Sequence, residues 1–298
     1  MEKRYGRAKA ACYMTNITMA LVSNISALLF VPFRELYGIS YALLGMLVLI
    51  NFFTQLSIDL IFSFFSYKFN IPKAIKFTPV LAMIGFLFFA LWPFFMSDHI
   101  YVGLVIGTVI FSAAGGFNET LMSPMVAAIP SENPEREMSK LHSIYAWGVV
   151  GVITFSTLFL LAFGRENWQW MILILSLIPL ASGVLFFGAE IPPMEKPEKL
   201  SGAFSMMKSK TLWLCVVAIF FGGASETAMA QWSSSYLEQA LGISKVWGDI
   251  FGVALFALFL GLGRSLYAKI GKNIEKALLL GSCGAVVCYI TAESFYTP

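Results

Sequence analysis

The chain has 298 residues, of which 58% are hydrophobic and 12% charged, with 28 phenylalanines and a formal net charge of +3. A soluble domain carries roughly 25% charged residues, and one of this length has no means of hiding so much apolar surface. The small positive excess reflects how loops are placed about a membrane and does not point to a nucleic-acid partner.

Charge-free runs approach the roughly 20 residues that cross a bilayer as a helix. Nine spans are predicted, at about 10–33, 41–66, 76–96, 101–129, 143–163, 168–189, 211–236, 246–268 and 275–294. The basic start EKRYGRAK leads into the first span with no small-residue cleavage site, so no cleavable signal peptide is expected. The polar connection IPSENPEREMSKLH separates spans 4 and 5. A longer one, rich in Pro, Lys and Glu, separates spans 6 and 7. It divides the chain into an N-terminal six-helix bundle (1–190), a linker (191–210) and a partial C-terminal bundle of helices 7–9 (211–298). The fold class is therefore all-α and polytopic.

If the loops alternate, 17 lysines and arginines fall on the side of the N-terminus and only Arg34, Arg165 and Lys245 on the other. The positive-inside rule then puts the N-terminus in the cytoplasm. The four cysteines, Cys12, Cys215, Cys283 and Cys288, lack metal-ligand spacing and read as packing residues. A weak repeat is present. LYGIS (36–40) after span 1 matches ALGIS (240–244) after span 7, and each leads into an apolar helix ending in a basic turn. Six helices separate the copies, as expected of two parallel halves related by an axis along the membrane normal.

Ionisable residues away from the span ends are Asp59, Glu119 and Glu226. An acidic group at the centre of a spanning helix costs about 2.5–3.5 kcal/mol on insertion scales, so each needs water, a partner or a proton. Glu119 shares a helix face with Ser112, Gly115, Gly116 and Ser123, which leaves room for a cavity or a close neighbouring helix. It reads either as a protonatable carboxylate or as a group locking two helices together. Glu226, with Gly222, Gly223, Ala230 and Ser233 on its face, carries the same two readings. Asn16, Asn24, Asn118 and Gln231 are candidate partners for solute hydroxyls, or else interhelical hydrogen bonds. Tyr145, Trp147 and Trp232 are candidates for stacking on an apolar sugar face. His142, opening span 5, is expected at the membrane interface.

These features resemble the major facilitator superfamily, whose basic loop follows the second helix of each half. Gly263, Arg264, Lys269, Gly271 and Lys272 in GRSLYAKIGK match much of that loop, and Lys68 and Lys73 match part of the first copy. The resemblance implies gating roles for Lys68, Arg264 and Lys269; Asp59, near the cytoplasmic end of span 2, reads either as a gating or inter-half contact or as a snorkelling carboxylate. Glu119-Thr120-Leu121-Met122-Ser123-Pro124, with Glu226, Trp232 and Tyr236, is similar to fucose-permease-like sugar–proton symporters. Those proteins carry an acidic residue a turn before the proline of helix 1; here Leu28 stands a turn before Pro32. The resemblance implies alternating access, proton-coupled symport of a sugar or similar small polar solute, coupling through Glu119 and Glu226, a monomer and a bacterial inner (plasma) membrane. It also implies twelve helices, so the chain is expected to stop three short. No cofactor, metal or catalytic residue is expected. The alternatives are a drug or metabolite antiporter, whose G-x-x-x-G-P-x-x-G-G pattern lacks its proline in span 5, and a non-transporting fragment.

Overall fold

The computed structural model describes residues 2–131, 134–194, 207–270 and 274–295. The helices are α1 (Gly6–Leu28), α2 (Phe30–Tyr37), α3 (Tyr41–Phe65), α4 (Ile71–Phe95), α5 (Ile100–Ala128) and α6 (Pro134–Phe163). They continue with α7 (Trp168–Leu175), α8 (Leu177–Phe187), α9 (Lys210–Gln239), α10 (Lys245–Gly248), a π-helical stretch Asp249–Ala254, α11 (Leu255–Ile270) and α12 (Ile274–Phe295). Each of the nine expected spans falls on one of these helices or on a consecutive group of them. Among the described residues, seven helices are long and apolar enough to cross a membrane, or eight with the bent pair α1–α2. The last helix, α12, carries a shorter apolar stretch, Leu279–Thr291.

Two spans are broken, and proline accounts for both. A proline ring clashes with the carbonyl four residues earlier. Pro32 sets that clash at Leu28, where α1 ends and the axis turns by 43°. Pro179 sets it at Leu175, where α7 ends before Ser176. Pro124, by contrast, lies inside an unbroken α5.

The repeat seen in the sequence is a repeat of backbone conformation. Gly38 and Gly242 both take the left-handed region, at φ 65° and 66°. This is the conformation in which helices commonly terminate and which favours glycine. Ser40 and Ser244 then stand at the N-cap positions of the following helices, and Ser40 caps its helix by accepting from the Leu43 N–H.

The helices are turned inside out relative to a soluble protein. In α3, Leu49, Phe53, Leu56 and Leu60 form an exposed stripe, whereas Leu44, Leu47, Asn51 and Gln55 are buried. An apolar outer face with amides turned inward is the arrangement a lipid solvent selects. Asn51 Nδ2 donates to the Val22 carbonyl at 3.1 Å, Gln55 Nε2 donates to Asn51 Oδ1 at 2.6 Å, and Ser112 Oγ bonds the same oxygen at 2.7 Å. The amide pair thus ties α3 to α1 and α5. Toward the end of the molecule that carries Tyr37, Phe33, Phe89, Phe111 and Trp168 pack edge to face or tilted, with centroids 4.9–6.0 Å apart.

Glycine sets the distance between α3 and α5. A Cβ on Gly116 would lie 2.7 Å from Ile58 Cβ and 2.9 Å from the Gln55 carbonyl oxygen. Gly116→Ala is therefore expected to destabilise the chain by about 1–3 kcal/mol through overpacking. Gly151→Ala, where a Cβ meets nothing within 4 Å, should cost nothing. Denaturant titration of both variants in detergent checks this, and equal effects would contradict the close approach.

Of the cysteines, Cys12 is buried, with Sγ 3.5 Å from Met125 Sδ. Cys215, Cys283 and Cys288 lie on exposed helix faces instead of packing inward. The gating candidates Arg264 and Lys269 belong to α11, but their side chains lie outside the described residues, as do Gly271, Lys272 and residues 195–206 of the linker.

Candidate functional site

A cavity of about 430 Å³ lies between α1, α5 and α6 on one side and α9 with the segment from Val253 to Leu260 on the other. Seven of the nine residues expected to couple protons or bind solute line it: Asn16, Asn24, Asn118, Glu119, Tyr145, Glu226 and Gln231. Each sits in a helix whose other positions are mostly apolar, so the polar face turned toward the shared space. Ser23, Phe52, Ser123, His142 and Thr227 complete the polar and aromatic wall.

Two expected stacking residues are elsewhere. Trp147 is 48% exposed and lines a separate apolar groove with Ile17, Phe155 and Ile178. Trp232 packs on Phe30, with ring centroids 5.1 Å apart, and is absent from the cavity lining. Both are corrections with one cause. A tryptophan is at ease against lipid or protein, so its presence in a span does not fix which way it faces. His142, exposed and two residues beyond Lys140, also lines the cavity. Lys68 lies outside the cavity at the end of α3, with Nζ 5.1 Å from the centre of the Phe65 ring.

The direct partner of Glu119 is Asp59, to which it is hydrogen-bonded side chain to side chain. Glu226 lines the same cavity without such a bond. The α3–α5 approach set by Gly116 makes the pairing possible, since Gln55 and Ile58 touch that glycine and Asp59 comes next in the helix. Two ionised carboxylates offer only acceptors, so a bond between them contains a proton. Among the described residues Asp59 Oδ1 is buried without a partner.

The asparagines are held by the protein itself. Asn16 Nδ2 donates to the Leu141 carbonyl at 2.9 Å, and Asn118 Nδ2 to Asn16 Oδ1 at 3.1 Å. Asn24 Nδ2 donates to the Ala20 carbonyl at 2.8 Å, and Gln231 Nε2 to the Ser23 carbonyl at 2.8 Å. The last of these crosses from α9 to α1.

At the end of the molecule carrying Arg165, a second polar cluster joins the same two sets of helices. Asp249, 1% exposed at the start of the π-helical stretch, accepts from Lys245 Nζ at 2.9 Å, from Thr157 Oγ1 at 2.7 Å and from Ser234 Oγ. Arg165 binds both Glu35 and Glu238, the latter at 2.9 Å. At the opposite end, Glu137 takes Lys9 at 2.5 Å, Lys140 at 3.0 Å and Tyr13 at 2.9 Å, and Arg4 pairs with Glu190. Loops that alternation assigns to one side do meet on one side. Reading the sequence missed Asp249 because it stands three residues into a span and resembles an ordinary helix-end charge. The signal that could have found it was Lys245 one helical turn earlier.

The sequence matches the Major Facilitator Superfamily model over residues 11–296. In fold the chain is similar to the xylose transporter XylE from E. coli in its inward-open conformation, with a TM-score of 0.54 at 14% identity. The match covers 88% of this chain and 66% of that one. At that identity the likeness is one of fold. No curated protein sequence matches the chain. With its apolar spans, repeated turns, a cavity between two sets of helices and a family match along almost its whole length, the chain belongs to the Major Facilitator Superfamily.

Proposed function

We propose that the chain works as a secondary active transporter by alternating access, carrying a sugar or similar small polar solute together with protons. The observation that carries this reading is a carboxyl pair, Asp59–Glu119, reaching a polar cavity between two sets of helices. Such a pair holds one proton when closed on itself and can release it when the cavity rearranges. The amides of Asn16, Asn24, Asn118 and Gln231 offer oxygens to hydroxyl groups, and Phe52, Tyr145 and Phe256 offer rings. The motif around Glu119 favours sugar–proton symport over antiport. The lysine and arginine bias supports a cytoplasmic N-terminus in a plasma membrane, and a single copy encloses the cavity described.

The test is uptake of a panel of labelled monosaccharides by proteoliposomes holding the 298-residue chain. An inward proton gradient should drive accumulation of at least one sugar, and a protonophore should abolish it. Sugar entry indifferent to the gradient would overturn proton coupling.

A further inference from the structure

We propose that the cavity selects a hydroxylated solute bearing a protonated amine, such as an amino sugar, with Glu226 as the seat of the ammonium group. This rests on the cavity being the solute site and names the class of solute it takes.

The charge of the wall comes first. Among the described residues lining the cavity there is no lysine or arginine, while Glu119 and Glu226 both face it. Glu119 already has a partner in the Asp59 carboxyl group. Glu226, from the opposite wall, has no hydrogen bond or ion pair among the described residues and lies open to the space. An acidic side chain left without a cation at a cavity wall favours a ligand that supplies one.

The polarity of the amides points the same way, independently. Asn16, Asn24 and Gln231 each turn an NH2 group to a backbone carbonyl, at Leu141, Ala20 and Ser23. A carbonyl accepts only, so the orientation of each amide is fixed. With Asn16 so oriented, its oxygen must be the acceptor for Asn118 Nδ2. That leaves Asn118 Oδ1, on a side chain only 5% exposed, with no partner among the described residues. Each amide thus has one of its two N–H donors committed to the protein, and the Asn118 oxygen is the acceptor left unmet. A buried acceptor without a donor costs about 1–3 kcal/mol, and a ligand that brings donors relieves it. An ammonium brings three donors and no acceptor, whereas a carboxylate or phosphate brings none. The rings of Phe52, Tyr145 and Phe256 in the lining favour a cation further.

The test is calorimetric titration of the detergent-purified chain with glucosamine, glucose and glucuronate, which share a skeleton and differ in charge, at a pH where the amine is protonated. Glucosamine is expected to bind about tenfold tighter than glucose, the weight of one hydrogen bond to a charged group, and glucuronate not measurably. Glu226→Gln, which breaks no hydrogen bond or ion pair among the described residues, should bring glucosamine down to the level of glucose. Glucose binding as tightly as glucosamine, with Glu226→Gln indifferent, overturns this inference and leaves the transport reading intact. Tightest binding of glucuronate, or binding of none of the three, also overturns it.

Discussion

Replacing Glu119 with glutamine is expected to leave the chain able to exchange solute but unable to accumulate it. Glutamine keeps the length of the side chain and can donate its NH2 group to Asp59, so the α3–α5 contact and the cavity wall survive. It cannot bind or release a proton, and the proposed coupling needs a carboxyl group at this contact with Asp59. In proteoliposomes with an inward proton gradient and the membrane potential clamped at zero, accumulation should fall to simple equilibration. Counterflow between preloaded and external solute should continue. Asp59→Asn is expected to act in the same direction, because it removes the other half of the pair. If Asp59→Asn were indifferent while Glu119→Gln lost accumulation, the proton would belong to Glu119 alone.

Asp249→Ala is expected to be the most damaging single substitution for stability. Asp249 is 1% exposed and receives Lys245, Thr157 and Ser234. Removing it strands an ammonium that is itself 9% exposed, together with two hydroxyl groups. Breaking a buried pair from one side costs about 3–5 kcal/mol. The loss should appear as a large drop in the denaturant midpoint in detergent, far beyond that of Arg165→Ala, whose partners are more exposed. A change of less than about 1 kcal/mol would contradict the closed cluster. Because Thr157 belongs to α6 and Ser234 to α9, the same variant should loosen the contact between the two sets of helices.

The sequence is legible wherever the membrane penalises a side chain. A carboxylate or a primary amide in an apolar run is costly against lipid and must turn inward. For that reason Glu119, Glu226, Asn16, Asn24, Asn118 and Gln231 were all readable as facing a common interior. The turn glycines were readable because a left-handed residue ending a helix favours glycine, and Gly38 and Gly242 recur in similar five-residue contexts. The residues misplaced were those the bilayer leaves indifferent. Trp147 and Trp232 incur little cost on either face, and periodicity does not decide between lipid and cavity. The partner of Glu119 was not readable either. It depends on how closely α3 approaches at Gly116, a property of packing and not of either helix alone. Asp249 was hidden by its place three residues into a span, where a charge reads as an ordinary helix end, although Lys245 stands one turn earlier.

Whether a proton moves with the solute through the Asp59–Glu119 pair is tested most directly by proton flux. Proteoliposomes carrying an internal pH-reporting dye, with no imposed gradient and the potential clamped, would be given the sugar that accumulates best. The interior is expected to acidify from the moment of addition, and Glu119→Gln vesicles are expected to take up the sugar without acidifying. Sugar entry into wild-type vesicles with no change in internal pH would contradict coupling through this pair.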